Sequence, residues 1–225
     1  MSGWPETNGH RASRRHPWRV LHAAHGCAHL LEALRLQTAS GMRPQVLTLD
    51  GPADPDPRWG SAAVPTSHSL LSAWHDVRSW RDALAHAKPE QFEVIHAHSF
   101  SAGMAAVRNC PVVVYEIAGF VEQLALAASE QANAEPPGAW LSRSLRVAEQ
   151  FVIARTGAVI VRNHQEIAGA LERGAAADAV FLIPHRGLSP EEMTQRYDEA
   201  YHHASARREQ TRTTRLATSL APLAV

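Results

Sequence analysis

Lysine is nearly absent. Lys88 is the single example in 225 residues, so arginine supplies almost all of the 22 cationic side chains. These are matched by 22 Asp and Glu residues, and a formal charge of zero excludes a surface built throughout to hold nucleic acid. Cysteine is scarce as well. Cys27 and Cys110 form neither a CxxC pair nor a disulfide framework, which makes a reduced, cytosolic setting the default. No apolar run reaches the ~18 residues that a membrane span needs. The first residues, Met-Ser-Gly-Trp-Pro-Glu-Thr, lack the apolar core of a secretory signal. Also missing are a GxGxxG turn, a P-loop and a GxSxG elbow, so no dinucleotide site, P-loop nucleotide site or serine hydrolase is indicated.

What remains is a chain with 45% apolar residues, enough to bury a core. Residues 1–17 are polar and are expected to form a flexible lead. From Trp18 the pattern becomes a short apolar run to Ala24, a turn at Gly26, a helix through Leu30, Leu34 and Leu36 closed by Gly41, then a strand at Gln45–Leu49. That is one βαβ unit. A loop follows at Asp50–Pro57, with a small apolar patch at Ala62–Val64. Leu70, Leu71, Trp74, Val77, Trp80 and Leu84 recur at helical spacing.

Glu93–His98 reads as a strand, and Ser99 is placed to cap the helix that carries Ala102, Ala105 and Ala106. Pro111–Tyr115 is the most β-branched run, hence a buried central strand. Residues 117–138 are bounded by loops with a partly helical interior. A helix follows from Trp140 to Ile153, then a strand at Ala158–Val161, a helix capped by Asn163, and a last strand at Ala179–Ile183. Pro190 and Glu191 open a final helix through Tyr197 and Tyr201, and residues 205–225 are expected to be disordered. Alternating strands and helices predict an α/β fold: one doubly wound, Rossmann-like parallel sheet over residues 18–187, with a terminal helix at 188–204.

Ligands of such sheets bind beyond the carboxyl ends of the strands. That rule nominates His25 and Gly26, His98 and Ser99, Glu116 to Gly119, and Arg162 to His164, with Asn163 among them. Gly26, His98, Ser99, Glu116, Gly119 and Asn163 are therefore the candidate ligand-binding residues. His96 and His98 share one face of their strand; His96 is expected to be packed in the core and His98 to face the crevice. Glu116 follows a very apolar strand, so it either binds something in the crevice or pairs with a nearby arginine. His22, His25 and His29 are spaced three and four apart but straddle a strand and a helix, and no metal is expected.

The strand-end segments Glu93-Val-Ile-His-Ala-His-Ser99, Pro111-Val-Val-Val-Tyr-Glu-Ile-Ala-Gly-Phe-Val-Glu122, Ala158-Val-Ile-Val161 and Leu182-Ile-Pro184 occur in the order and spacing of one family. Together they resemble the amino-terminal domain of GT-B glycosyltransferases of family 4, the retaining nucleotide-sugar-dependent enzymes, over about residues 18–187. The resemblance implies the acceptor-side half of a transferase in polysaccharide or glycoconjugate biosynthesis. Residues 193–204 also resemble the last helix of that family, which crosses back from the second domain onto the first.

Departures accompany the likeness. No counterpart of the donor-binding carboxy-terminal domain is seen, so the chain is expected to be a truncated form with no cofactor of its own. The nucleotide-sugar donor that the family implies would sit on the absent domain. Ala118 stands where the family has an arginine, and Ile183-Pro-His-Arg186 replaces Ile-Pro-Asn-Gly. The alternative is a non-catalytic glycan- or partner-binding module derived from the family. Expected partners are a donor-domain subunit or a second copy, and a sugar or glycan acceptor. Nucleic acid is not among them. The expected location is cytoplasmic, with membrane contact at most peripheral through the arginines of the tail.

Overall fold

The computed structural model describes residues 18–24, 28–48, 72–131, 133, 135–184 and 186–220. The flexible lead, Gly26, the Ala62–Val64 patch and residues 221–225 lie outside them. Six strands form one parallel sheet: β1 (Arg19–Ala23), β2 (Arg43–Leu47), β3 (Val94–Ala97), β4 (Val113–Glu116), β5 (Ala158–Val161) and β6 (Val180–Leu182). They stand in the order β2-β1-β3-β4-β5-β6. From β1 the chain builds outward to β2, then returns to β3 on the other side of β1. The reversal falls between β1 and β3, and in doubly wound sheets the crevice outside that point is where ligands bind.

Alternation decides what each face holds. Leu21, Ala23, Ile95, Ala97, Val113, Tyr115, Val159 and Val161 point to one side, where they bury against α2 (Ser72–His86), α3 (Phe100–Asn109), α5 (Ala139–Arg155) and α6 (His164–Glu172). Val20, Val94, Val114, Ala158 and Ile160 point to the other, under α7 (Pro190–Leu220) and α1 (Ala28–Ala39). A sheet covered on both faces explains why β4 and β5 are continuous apolar runs. The fold class read from the sequence is the one observed.

The ends of several helices follow local chemistry. Ser99 accepts a hydrogen bond from the Ala102 amide at the start of α3, and Asn163 does the same for the Glu166 amide at the start of α6. α4 (Val121–Gln131) occupies the interior of the loop-bounded segment.

Residues 205–220 differ from the disordered tail expected of them: α7 continues through them to Leu220, giving a 31-residue helix. At 1.5 Å per residue this helix is about 46 Å long. Ala204 is the last buried residue among the described side chains of α7, and from Ser205 to Thr214 they are half-buried or exposed. Arg, Glu, Gln and Thr on that stretch signalled solvation correctly, but solvated and disordered are different things. Thr211, Thr213 and Thr214 each return a hydroxyl hydrogen bond to the carbonyl four residues back. No helix among the described residues is long and apolar enough to cross a membrane.

Candidate functional site

The polar residues that share the α7 face converge near the carboxyl edge of the sheet. In register, His22 of β1 lies beside His96 of β3, and Glu116 of β4 lies beside Ile160 of β5. One step beyond the strand ends come His98 and Arg162. The same alternation that buries Val20, Val94 and Ile160 on this face therefore aims His22, His96, His98, Glu116 and Arg162 into one small volume under α7.

Their contacts close a ring. The His98 ring lies with Nε2 2.9 Å from His22 Nδ1, and His22 Nε2 is 2.8 Å from Gln37 Oε1. The Gln37 amide donates to the Tyr201 hydroxyl at 3.0 Å, and that hydroxyl lies 3.0 Å from His96 Nδ1. His96 Nε2 and His98 Nδ1 each lie 3.2 Å from Glu116 Oε2, which completes the ring. The other carboxylate oxygen of Glu116 accepts from Arg162, with Nε at 2.9 Å and a second, closer contact from the terminal nitrogen. Arg162 also donates to the Ile183 carbonyl at 2.5 Å and the Tyr197 hydroxyl at 3.3 Å. Trp18 extends the same tie to α7, its indole donating to Asp198 at 2.6 Å.

Burial sets the electrostatics. His22 and His96 are fully enclosed, and loss of hydration pushes both rings toward the neutral form; nearby imidazoles reinforce the effect. His22 falls well below its ordinary value and His96 drops to about 3. Burial alone would raise the Glu116 carboxyl. The His98 ring, the contacts with His96 and His98, and the Arg162 guanidinium together outweigh it and hold Glu116 well below the usual carboxylate range. Arg162 loses hydration too, but Glu116 more than compensates and its value rises.

A second polar cluster fixes the loop after β4 from the opposite face. Glu149, fully enclosed on α5, accepts from the Tyr115 hydroxyl at 3.0 Å, the Val121 amide at 3.4 Å and Arg173 Nε at 3.2 Å. Arg173 also pairs with Glu122, and its guanidinium lies 3.6 Å above the Phe120 ring. Burial pushes the Glu149 carboxyl up to about 7 against the pull of these donors. Phe120 occupies the space beside Gly169, where any side-chain carbon would sit 2.3 Å from the ring. Residues 116 and 120–121 are thus anchored from opposite faces, and Ala118 and Gly119 form the outward span between them.

Of the residues nominated from sequence, His98 and Glu116 meet directly, and Arg162 joins them. The arginine pairing is the branch of the Glu116 alternative that the structure displays. His96 is packed in the core as expected. His98 differs from the crevice-facing position expected: its ring lies against those of His22 and His96, and its side chain is 5% exposed. Ser99 and Asn163 follow β3 and β5 at the same edge, but their oxygens are engaged as helix caps. Gly119 adopts a φ of +116°, a conformation that favours glycine. Gly26 and His25 lie outside the described residues, as do the contacts of the His29 side chain. Sequence reasoning missed Gln37, Tyr197 and Tyr201 as members of the ring. Tyr197 and Tyr201 were legible only as neighbours on one helix face, and Gln37 carries no signal beyond falling on the apolar stripe of α1.

His22, His96 and His98 each present a ring nitrogen within 4.8 Å of the others, a grouping able to hold a metal ion. The three-histidine pattern weighed from sequence joined His22 to His25 and His29; the fold joins it to His96 and His98 instead.

A family model described as a glycosyl transferase 4-like domain matches residues 23–185, from the end of β1 to just past β6. No curated protein matches the sequence. Among solved structures, sucrose-phosphate synthase from Thermosynechococcus elongatus is similar at 16% identity and a TM-score of 0.51, over 74% of this chain and 48% of that one. The chain therefore spans about half the length of that enzyme. A second structure of the synthase from Thermosynechococcus elongatus is similar as well. The match covers 82% of this chain and 97% of that one, at 15% identity and a TM-score of 0.56. HepE of Anabaena, solved in complex with UDP and glucose, matches at 11% identity and a TM-score of 0.50, over 76% and 45%. At such identities these likenesses establish the fold.

Proposed function

Because the chain belongs to the glycosyl transferase 4-like domain family, we propose that it is the acceptor-side half of a retaining, sugar-nucleotide-dependent transferase in polysaccharide or glycoconjugate biosynthesis. One observation carries the reading. α7 follows β6 after only residues 183–189 and packs back onto the same sheet through Tyr197 and Tyr201, with no second sheet between β6 and α7. The chain covers 97% of one structure of the synthase, and that match takes in 82% of this chain.

In this reading the carboxyl edge of β3, β4 and β5 is one wall of a saccharide cleft. His98, Ser99, Glu116, Gly119 and Asn163 lie along it, with Gly26 placed there by the sequence. The buried ring holds the wall rigid and sets its charge, while the Ala118–Gly119 span and the loops after β3 and β5 meet the acceptor. A donor-binding domain supplies the opposite wall. Stabilisation of the leaving diphosphate, a large part of catalysis in such transfers, belongs to that domain.

The test is calorimetry and turnover with UDP-glucose. The chain alone is expected to show neither binding nor hydrolysis, and transfer to appear when a polypeptide bearing a donor domain is added. Binding or hydrolysis of UDP-glucose by the chain alone overturns the assignment as an acceptor-side half. A second reading, a non-catalytic glycan- or partner-binding module, is favoured by Trp140, which stands 73% exposed at the start of α5. An exposed indole suits a sugar face or a partner surface. A thermal shift with glycans that persists without any transfer activity, and is lost in Trp140→Ala, selects that module.

A further inference from the structure

Three buried polar atoms without a hydrogen-bond partner lie close together: His96 Nε2, His98 Nδ1 and Glu116 Oε2. Both nitrogens approach the carboxylate oxygen to 3.2 Å, yet neither approach has hydrogen-bond alignment. Orphaned polar atoms at this depth are costly and call for an occupant. The side chains are 0%, 5% and 2% exposed, so bulk water does not supply it.

We propose that His96, His98 and Glu116 form a binding site for a divalent transition-metal ion of the zinc class. The inference is independent of the transferase reading. Donor atoms bound tetrahedrally at ~2.0 Å stand about 3.3 Å apart, close to the 3.2 Å that separates each nitrogen from Glu116 Oε2. Two imidazoles from a His-x-His pair on one strand face, with one carboxylate, are donors that zinc, nickel or copper accept and magnesium or calcium do not prefer.

The outer layer is also in place. Ligating histidines hold their second nitrogen in a hydrogen bond, and here His98 Nε2 meets His22 Nδ1 while His96 Nδ1 meets the Tyr201 hydroxyl. Gln37 bridges His22 to Tyr201 behind them. Arg162 occupies the other Glu116 oxygen and leaves Oε2 for the ion. With a guanidinium so near, the site carries excess positive charge, so its fourth ligand is an anion, such as hydroxide. The bound ion would fasten β3 to β4 directly, and α1 and α7 to the sheet through the outer layer.

The experiment uses the full chain, stripped with EDTA and titrated with ZnCl2 and, separately, MgCl2, followed by calorimetry and thermal unfolding. Cobalt chloride serves as a visible probe of four-coordinate geometry. The expected result is one zinc per chain, a Tm rise of roughly 5 °C with zinc but not magnesium, and intense cobalt absorption bands. All three are lost in His98→Gln and retained in His86→Ala, whose ring is on the exposed side of α2. Absence of zinc uptake by the wild-type chain overturns the proposal without recourse to any variant. So does uptake that survives His98→Gln in a folded protein. Nitrogen NMR showing His98 donating from both ring nitrogens in excess zinc also overturns it, because a single proton then occupies the place given to the metal.

Discussion

Replacing Gly157 by alanine is the sharpest probe of how α7 is seated. Gly157 precedes β5, and a Cβ at that position would stand 2.7 Å from both Cα and Cβ of Ala204 and 2.9 Å from its carbonyl oxygen. Two of these atoms are backbone, so no side-chain rotation relieves the clash and the helix must retreat by roughly an ångström. Overpacking of this kind costs about 1–3 kcal/mol, and the lost freedom of the unfolded chain returns about 0.4–1 kcal/mol. A net loss of about 1–2 kcal/mol remains, which lowers Tm by roughly 2–8 °C in a chain of this length. The retreat also stretches the Tyr201 contacts with Gln37 and His96. Hydrogen exchange should therefore speed up along α7 while β3 and β4 keep their protection. A Gly157→Ala protein with unchanged Tm and unchanged exchange in α7 would refute the seating described here.

Three other perturbations have defined outcomes. Ser99→Ala and Asn163→Ala each remove a cap and should cost about 1 kcal/mol, seen as a Tm drop of roughly 2–4 °C; no drop would mean the caps contribute nothing. Arg173→Met strips Glu149 and Glu122 of their cation and should cost about 3 kcal/mol at pH 8. The cost should shrink at pH 6, where Glu149, already raised to about 7, takes up a proton; equal losses at both pH values would contradict the cluster's electrostatics. Neutral, buried His96 makes the fold acid-sensitive, because the unfolded chain binds a proton below about pH 6.5 that the folded chain refuses until about 3. In EDTA between pH 6.5 and 5, wild type should lose about 2 kcal/mol more than His96→Gln; parallel denaturation curves would rule this out.

The sheet was legible because its signal is local. Val113 to Tyr115 and Ala158 to Val161 are apolar on both faces, and Ser99 and Asn163 announce the helices that follow them. The pairing of Glu116 with an arginine could be anticipated from the cost of burying a lone carboxylate. Which groups would gather around it could not. Gln37 meets Tyr201 across 164 positions and His96 meets the same hydroxyl across 105, and no local period encodes either contact. His22 and His98 appeared in sequence as members of different histidine patterns, and only the adjacency of β1 and β3 joins them. The outer half of α7 shows the converse limit. Polar composition marks it as solvated, but arginine, glutamate, glutamine and alanine are also good helix formers, and the stretch is helical.

The lengths of those connections carry a consequence for biosynthesis. Trp18 emerges from the ribosome long before its indole's partner, Asp198, which lies 180 positions downstream. Contacts that close such long loops form late. Until α7 has emerged, the nascent sheet therefore lacks the cover that this helix gives its imidazole-bearing, apolar face. α7 seals the interior begun by β1, and a chaperone that binds this open flank would compete with α7 for it.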